Sequence, residues 1–245
     1  GLDSDQSGDD FVVSFLNTPG SANPEVNCES GGQRLKINEI LPNPNGSDSG
    51  NEWIEFYNVS EEEVLLDGWT LQTAAGSWRS KHVFPSGYSV PPGGFFLLAD
   101  SEVPESAADA YGSSSLSLGN ASTGLDGVRI LDCPGNVVDT LLYGKADAWP
   151  SEDEDLLLDD AGGESAAVLP GSGLSLGRHP DGEDSDDNSA DFQSGMSPTP
   201  GSANLQGEEG AGSGGGGGVT VPGKGCGKSS QPESEPSKCS VADPS

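Results

Sequence analysis

The apolar positions of this chain recur at every second residue in short runs. RLKINEIL at 34–41 alternates around Leu35 and Ile37, and NEWIEFYN at 51–58 sets Ile54 and Phe56 against Trp53, Glu55 and Tyr57. Alternation of this kind belongs to a strand with one face in a core. Further runs predict strands at 63–66 (EVLL), 69–72 (WTLQ), 82–84 (HVF), 94–99 (GFFLLA), 127–131 (GVRIL) and 136–143 (NVVDTLLY). Turn residues separate them: PNPNGSDSG at 42–50, PSG at 85–87, PPGG at 91–94 and CPGN at 133–136. Short strands at this spacing predict an all-β domain, an antiparallel sandwich or barrel. Only ESAADAY at 105–111 predicts a helical turn or two.

The pattern stops in four places. Residues 24–33 (PEVNCESGGQ) predict a linker, and residues 144–172 an insertion-like loop. Between 146 and 192 the chain holds 14 acidic residues against one basic residue, Arg178. After Asn204 comes a run of Gly and Ser and then a Pro/Ser-rich stretch, so residues 205–245 predict a flexible tail. The fourth place is the start. Residues 1–23 align without a gap on residues 182–204, with 12 identities in 23, ending in Pro-Gly-Ser-Ala-Asn at 19–23 and 200–204. A repeat sets the unit of folding. Residues 1–23 are thus expected to be the closing piece of a preceding repeat, in a tandem array cut upstream. Gly1 in place of Met fits a processed or excised piece. Phe11-Val12-Val13 is apolar enough to dock on an edge of the following domain.

A formal charge of −30 with only ten Lys and Arg repels phosphate and anionic lipid, which argues against a nucleic-acid role. No apolar run reaches the ~18 residues of a membrane span. The four cysteines, Cys28, Cys133, Cys226 and Cys239, contain no CxxC pair. An even number without metal spacing favours an oxidising compartment, the alternative being free thiols; four cysteines allow three disulfide pairings that sequence does not choose between, proximity favouring Cys226–Cys239 with Cys28–Cys133.

Candidate chemistry is sparse. Gly173-Leu-Ser-Leu-Gly177 fits G-x-S-x-G with His179 nearby, but a nucleophile elbow needs a strand-to-helix turn of an α/β sheet, which the pattern does not provide. Gly223–Ser229 misses the spacing of a phosphate-binding loop by one residue. Three Asn-x-Ser sites, at Asn45, Asn58 and Asn120, fit the N-glycosylation pattern, which is frequent by chance. The acidic patch at 151–160 reads as a solvated loop or a partner-docking segment. The repeated Asp-Ser-Asp element offers the most. Asp184, Asp186, Asp187 and Asp191 present hard oxygens at close spacing, as Asp3, Asp5, Asp9 and Asp10 do in the first copy. They are candidate calcium ligands, and equally candidate caps for turn N–H groups.

The ordered set of residues resembles a known family. Ile37-Asn38-Glu39, Glu52-Trp53-Ile54-Glu55 with Asn58, Leu66-Asp67-Gly68-Trp69 with Leu71, Pro92-Gly93 and Phe95–Leu98 open the unit. Leu131-Asp132, Gly135, Val137-Val138-Asp139, Tyr143-Gly144, Ser175-Leu176, Arg178, Asp191-Phe192 and the Pro-Thr-Pro-Gly-Ser-Ala-Asn end complete it. This core, 34–204, resembles a lamin tail domain of the secreted bacterial type. The resemblance implies an immunoglobulin-like β-sandwich, with Trp69 as a core plug and Phe192 anchoring the last strand. Asn38, Glu39 and Glu55 are expected to tie turns through bonds to the main chain. The expected function is a non-catalytic, secreted or cell-surface binding or display module of a tandem-repeat protein in a bacterial envelope. Its partners would be neighbouring repeats and a protein or surface of unknown identity. The alternative is an accessory domain of a secreted hydrolase whose catalytic part lies outside this chain.

Overall fold

A computed structural model describes residues 30–75, 77–120, 124–144 and 166–205. The chain divides into two units, Gly1–Glu209 and Gly210–Ser245, and every described residue belongs to the first. Residues 1–23, the acidic patch at 151–160 and the tail beyond Leu205 lie outside the described residues.

The fold is an all-β sandwich. One sheet has six strands: β1 (Leu35–Leu41), β2 (Trp53–Asn58), β7 (Phe95–Ala99), β8 (Ala110–Tyr111), β11 (Ser175–Arg178) and β12 (Phe192–Met196). They run in the order β12-β11-β1-β2-β7-β8, antiparallel except for β7 with β8. The facing sheet is β10-β9-β4-β5, built from β4 (Thr70–Ala75), β5 (Trp78–Val83), β9 (Leu125–Leu131) and β10 (Val137–Gly144). Two short strands, β3 (Val64–Leu65) and β6 (Ser89–Val90), pair apart from both sheets. One four-residue helix, α1 (Asn188–Asp191), precedes β12.

The period-2 pattern explains the layers and their irregularities. Leu35, Ile37 and Ile40 of β1 all enter the core, although 37 and 40 cannot share a face of a regular strand. A bulge between Ile37 and Glu39 absorbs the extra residue and turns Asn38 aside. A second register shift, between Val137 and Asp139, does the same for Val138, Leu141 and Tyr143 of β10. Ile54 and Phe56 of β2, Phe96 and Leu98 of β7, and Val128 and Ile130 of β9 complete the layer. Aromatic rings fill one end, with Phe84 edge-on to Phe56, Phe96 and Tyr88. The expected strand at 82–84 begins earlier, at Trp78, because the polar run Arg79-Ser80-Lys81 pairs at a sheet edge without needing alternation. The expected helix at 105–111 amounts to one turn, closed by Ala108 N–H on the Pro104 carbonyl, before β8 begins.

Loops are tied by buried side chains. Asn58 donates to the carbonyls of Glu62 and Val90 and accepts from the N–H and hydroxyl of Ser60. Glu52 accepts from Leu118 N–H at 3.0 Å, and Asp100 from Leu116 N–H at 2.9 Å. Asp132 accepts from the N–H groups of Gly31 and Asn136. Cys133, beside it, is disulfide-bonded, and the other three cysteines lie outside the described residues. Trp69 is 2 % exposed in the main core, as expected, and a Cβ at Gly31 would collide with its ring.

Trp69→Ala is expected to cost about 3–5 kcal/mol, the range for emptying a large aromatic site. Urea unfolding checks it; an unshifted midpoint would remove Trp69 from the core.

Candidate functional site

The chain closes its sandwich with residues 178–204, and here its polar side chains converge. Arg178 ends β11 at the seam between the sheets and is 0 % exposed. Its Nη2 donates to Asp139 Oδ1 of β10 at 3.1 Å. Its Nη1 donates to Asp191 Oδ2 at 3.1 Å, to Asp184 Oδ1 at 3.2 Å and to the Glu183 carbonyl at 2.8 Å. Nε donates to the Ile37 carbonyl at 3.0 Å, and the guanidinium lies 4.5 Å from the centre of the Phe192 ring. Asp139 Oδ2 also accepts from Ile37 N–H at 2.5 Å. One cation thus joins β1, β10, β11, the loop 183–184 and the start of β12. A buried charge persists only with partners of this quality.

The four candidate calcium ligands have separate places around that cation. Asp184 and Asp191 are its counter-ions. Asp184 also pairs with Lys36, which is 4 % exposed and donates to Gln33 as well. Burial works to raise the Asp184 pKa, but the Lys36 bond and the charges of Arg178 and Lys36 outweigh it, and the net shift is down. Asp191 accepts from the N–H and hydroxyl of Ser185. Asp187 is the N-cap of α1, accepting from the N–H groups of Ser189 and Ala190. Asp186 is exposed, with a left-handed φ of 60°. Among the described residues no group of three or more His, Cys, Asp or Glu side chains is arranged to hold a metal. A hollow of about 650 Å³ opens between Lys36, Tyr57 and Val59 and the loop 181–186.

The last seven residues of the closing segment cross the outer face of the six-stranded sheet. Glu39 accepts from Thr199 N–H and, at 3.0 Å, from its hydroxyl. Glu55 accepts from Gly201 N–H at 2.5 Å. Asn38, the bulged residue of β1, accepts from Gly182 N–H and donates to Asp181. Asn204 donates to the carbonyls of Asn38 and Arg178, while its own N–H meets Asp181. Gly177 lies beneath it: a Cβ there would come within 2.8 Å of the Asn204 amide nitrogen. Asn38, Glu39 and Glu55 tie turns as expected, and Phe192 anchors the last strand at 5 % exposure.

The residues that fix this closure lie partly in a stretch of recognisable sequence. Residues 29–145 match the sequence profile of the Lamin Tail Domain. That stretch belongs to the lamin tail domain family. The all-β sandwich agrees with the immunoglobulin-like fold of lamin tail domains. Among solved structures, a DUF4876 family protein from Bacteroides thetaiotaomicron VPI-5482 is similar at 13% identity. It covers 69% of this chain and 72% of that chain, with a TM-score of 0.40. The archaellum periplasmic stator protein complex FlaF and FlaG from Sulfolobus acidocaldarius is similar at 15% identity, over 50% of this chain and 99% of that chain, with a TM-score of 0.28. No curated protein matches the chain.

The G-x-S-x-G stretch lies beyond the matched residues, in β11 and its approach. Ser175 is buried, and its hydroxyl donates to the Met196 carbonyl at 3.2 Å. It occupies a strand, not a strand-to-helix turn, so the elbow geometry is absent. His82 is 6 % exposed against Phe84, its Nδ1 facing the N–H and hydroxyl of Ser113. The central role of Arg178 was missing from the sequence reading. The signal for it was present, since Arg178 is the one basic residue among the acids of 146–192.

Removing the Arg178 head group leaves three carboxylates at a dry seam. Arg178→Met is expected to cost about 3–5 kcal/mol, and Arg178→Lys to restore only part, because an ammonium cannot reach three carboxylates in a planar fork. Chemical denaturation of both variants decides it; full rescue by Lys would refute the role of the fork.

The carboxylates beneath residues 199–204 set a pH dependence. Burial pushes Glu55 up to about 8 against an ordinary 4.5, opposed by the Gly201 and Asn38 bonds and reinforced by Glu39 and Asp181. Burial likewise pushes Glu52 up to about 7 and Asp126 to about 6. Between the ordinary and the raised values the folded chain binds protons more tightly than the unfolded chain. Its stability is therefore full below about 4.5 and falls as pH rises through about 8. Urea midpoints are expected to be lower at pH 8 than at pH 5. Glu55→Gln keeps an oxygen for Gly201 N–H and is expected to flatten part of that fall; an equal fall in the variant would contradict it.

Proposed function

We propose that this chain is a non-catalytic binding or display module, acting outside the cytoplasm as one unit of a tandem array. The observation that carries the reading is the use made of its polar side chains. Arg178, Lys36, Glu39, Glu55, Asp184, Asp191 and Ser175 all bond within the domain and hold its closing segment. A catalytic site needs titratable groups turned toward a substrate. Two further features support the rest of the proposal. Cys133 is disulfide-bonded, which fits an oxidising compartment. The repeat of 182–204 at residues 1–23 fits a protein that uses this unit more than once.

The natural protein, located by cell fractionation with an antibody to this chain, is expected in the envelope or the medium with Cys133 oxidised. A cytosolic protein with reduced Cys133 would overturn the location. Purified chain is expected to leave model esters and phosphate esters unhydrolysed. Saturable turnover lost in Ser175→Ala would overturn the non-catalytic part.

A further inference from the structure

Toward one end of the sandwich the apolar core gives way to polar residues that keep the inward positions of their strands. Glu52 stands two residues before Ile54 of β2, and Asp100 two after Leu98 of β7. Asp126 stands two before Val128 in β9, and Tyr143 two after Leu141 in β10. A spacing of two keeps each on the core face. Glu52 is 3 % exposed, Asp126 5 % and Tyr143 0 %. Asp126 and Tyr143 are direct partners across β9 and β10. Residues 116–119 join them to Glu52: Leu118 N–H donates to Glu52 at 3.0 Å, and a Cβ on the next residue, Gly119, would overlap the Asp126 carboxylate. Both oxygens of Asp100 are taken by the Leu116 N–H and the Ser115 hydroxyl.

This end differs from the Arg178 end in its charge balance. None of the ion pairs between described residues includes Glu52 or Asp126. Asp126 Oδ2 and the Tyr143 hydroxyl are buried without a hydrogen-bond partner. Burial, and then the charges of Asp126 and Glu52, raise the Tyr143 phenol well above its usual value, so both carboxylates act at its hydroxyl. A buried carboxylate oxygen and a buried hydroxyl left unpaired mark a place for a bound water or ion.

We propose that the end of the sandwich lined by Glu52, Asp126 and Tyr143 binds a calcium ion. Glu52 and Asp126, one from each side of the sandwich, supply the negative charge, and the Tyr143 hydroxyl supplies a neutral oxygen. Water alone satisfies hydrogen bonds but leaves two carboxylates in a dry layer without a counter-charge; a divalent cation answers both needs. Calcium takes about six to eight oxygens in a flexible shell, so main-chain carbonyls and water complete a set that holds only two carboxylates. Magnesium retains an octahedral shell and most of its own water, which a layer this buried does not admit. The ion lies toward the other end of β10 from Asp139, so Asp184 and Asp191 keep their bonds to Arg178. It adds a ligand that the proposed function does not include and does not depend on where the protein resides.

Thermal unfolding of the full chain, first stripped of metal by a chelator, tests the site. At pH 8, calcium at about 10 mM, tenfold above the dissociation constant of the weaker extracellular calcium modules, is expected to raise the Tm by about 3–6 °C. Magnesium at the same concentration is expected to raise it less. Glu52→Gln and Asp126→Asn are each expected to abolish the calcium effect. Glu183→Gln combined with Asp186→Asn, on the exposed loop at the other end, is expected to leave it intact. An unmoved Tm in the unaltered chain would overturn the proposal. So would a rise that survives both single variants, or one lost in the Glu183 and Asp186 pair. Should the single variants not fold, hydrogen exchange in the unaltered chain decides. Calcium is then expected to slow exchange at Leu118 N–H and not at Gly201 N–H; equal slowing at both would overturn the site.

Discussion

The sandwich depends on one buried positive charge. Arg178 has no exposed surface, so its guanidinium has exchanged water for Asp139, Asp184, Asp191, two carbonyls and the face of Phe192. Such a group contributes less to net stability than its many bonds suggest, because the desolvation of four charges offsets much of the attraction. Its larger effect is on arrangement. Asp139 belongs to one sheet, Arg178 to the other, and Asp184 and Asp191 to the closing segment. A slip of one residue in any of them leaves a charge in the seam without a partner. The contact therefore fixes which way the sheets meet and where the segment docks.

The rest of the domain uses acid in a related way. Glu39, Glu52, Glu55, Asp100 and Asp132 each accept a main-chain N–H from a loop or turn distant in sequence. A loop N–H is an obligatory donor, and a carboxylate can accept from two or three at once. Part of the −30 charge thus serves the interior, not the solvent. The arrangement has a consequence at neutral pH. Burial raises Glu39, Glu52 and Glu55; the charge of Asp181 adds to the rise at Glu39 and Glu55, and that of Glu39 to the rise at Glu55. These are the carboxylates that hold residues 199–204 and the 117–118 loop, so the segments most loosened by rising pH are connections and not strands.

This division explains what the sequence disclosed. Ile37, Ile54 and Phe56 lie at alternate positions of their runs, and their strands are legible because the side-chain period of a strand is two. β11 and β12 are not legible from alternation, and a last strand anchored by Phe192 is expected only through the shared residues of the family. SLGR and FQSGM carry one or two apolar residues each, and their pairing is decided by Arg178 and Phe192 meeting distant partners. The bulges at Asn38 and Val138 were hidden in phase slips of the alternation, 37 to 40 and 138 to 141. The reading of Asp184, Asp186, Asp187 and Asp191 as a set rested on spacing alone. Spacing gave no weight to the one arginine that could neutralise two of them, and a buried cation is a stronger organiser of carboxylates than proximity in sequence.

The family match ends at residue 145, but the physics of the unit does not. β1 lies between β11 and β2, so without β11 and β12 its Glu39–Ile40 edge would present unpaired N–H and C=O groups. Lys36 would lose Asp184, and Asp139 would lose the cation that faces it. The stretch 29–145 therefore already contains the unmet half of each contact that residues 175–204 complete: an acceptor pair at Glu39 and Glu55, a carboxylate at Asp139, a carbonyl at Asn38. A sheet prepared in this way is specific for a closing segment by its donors and charges, not by the length of chain that joins them.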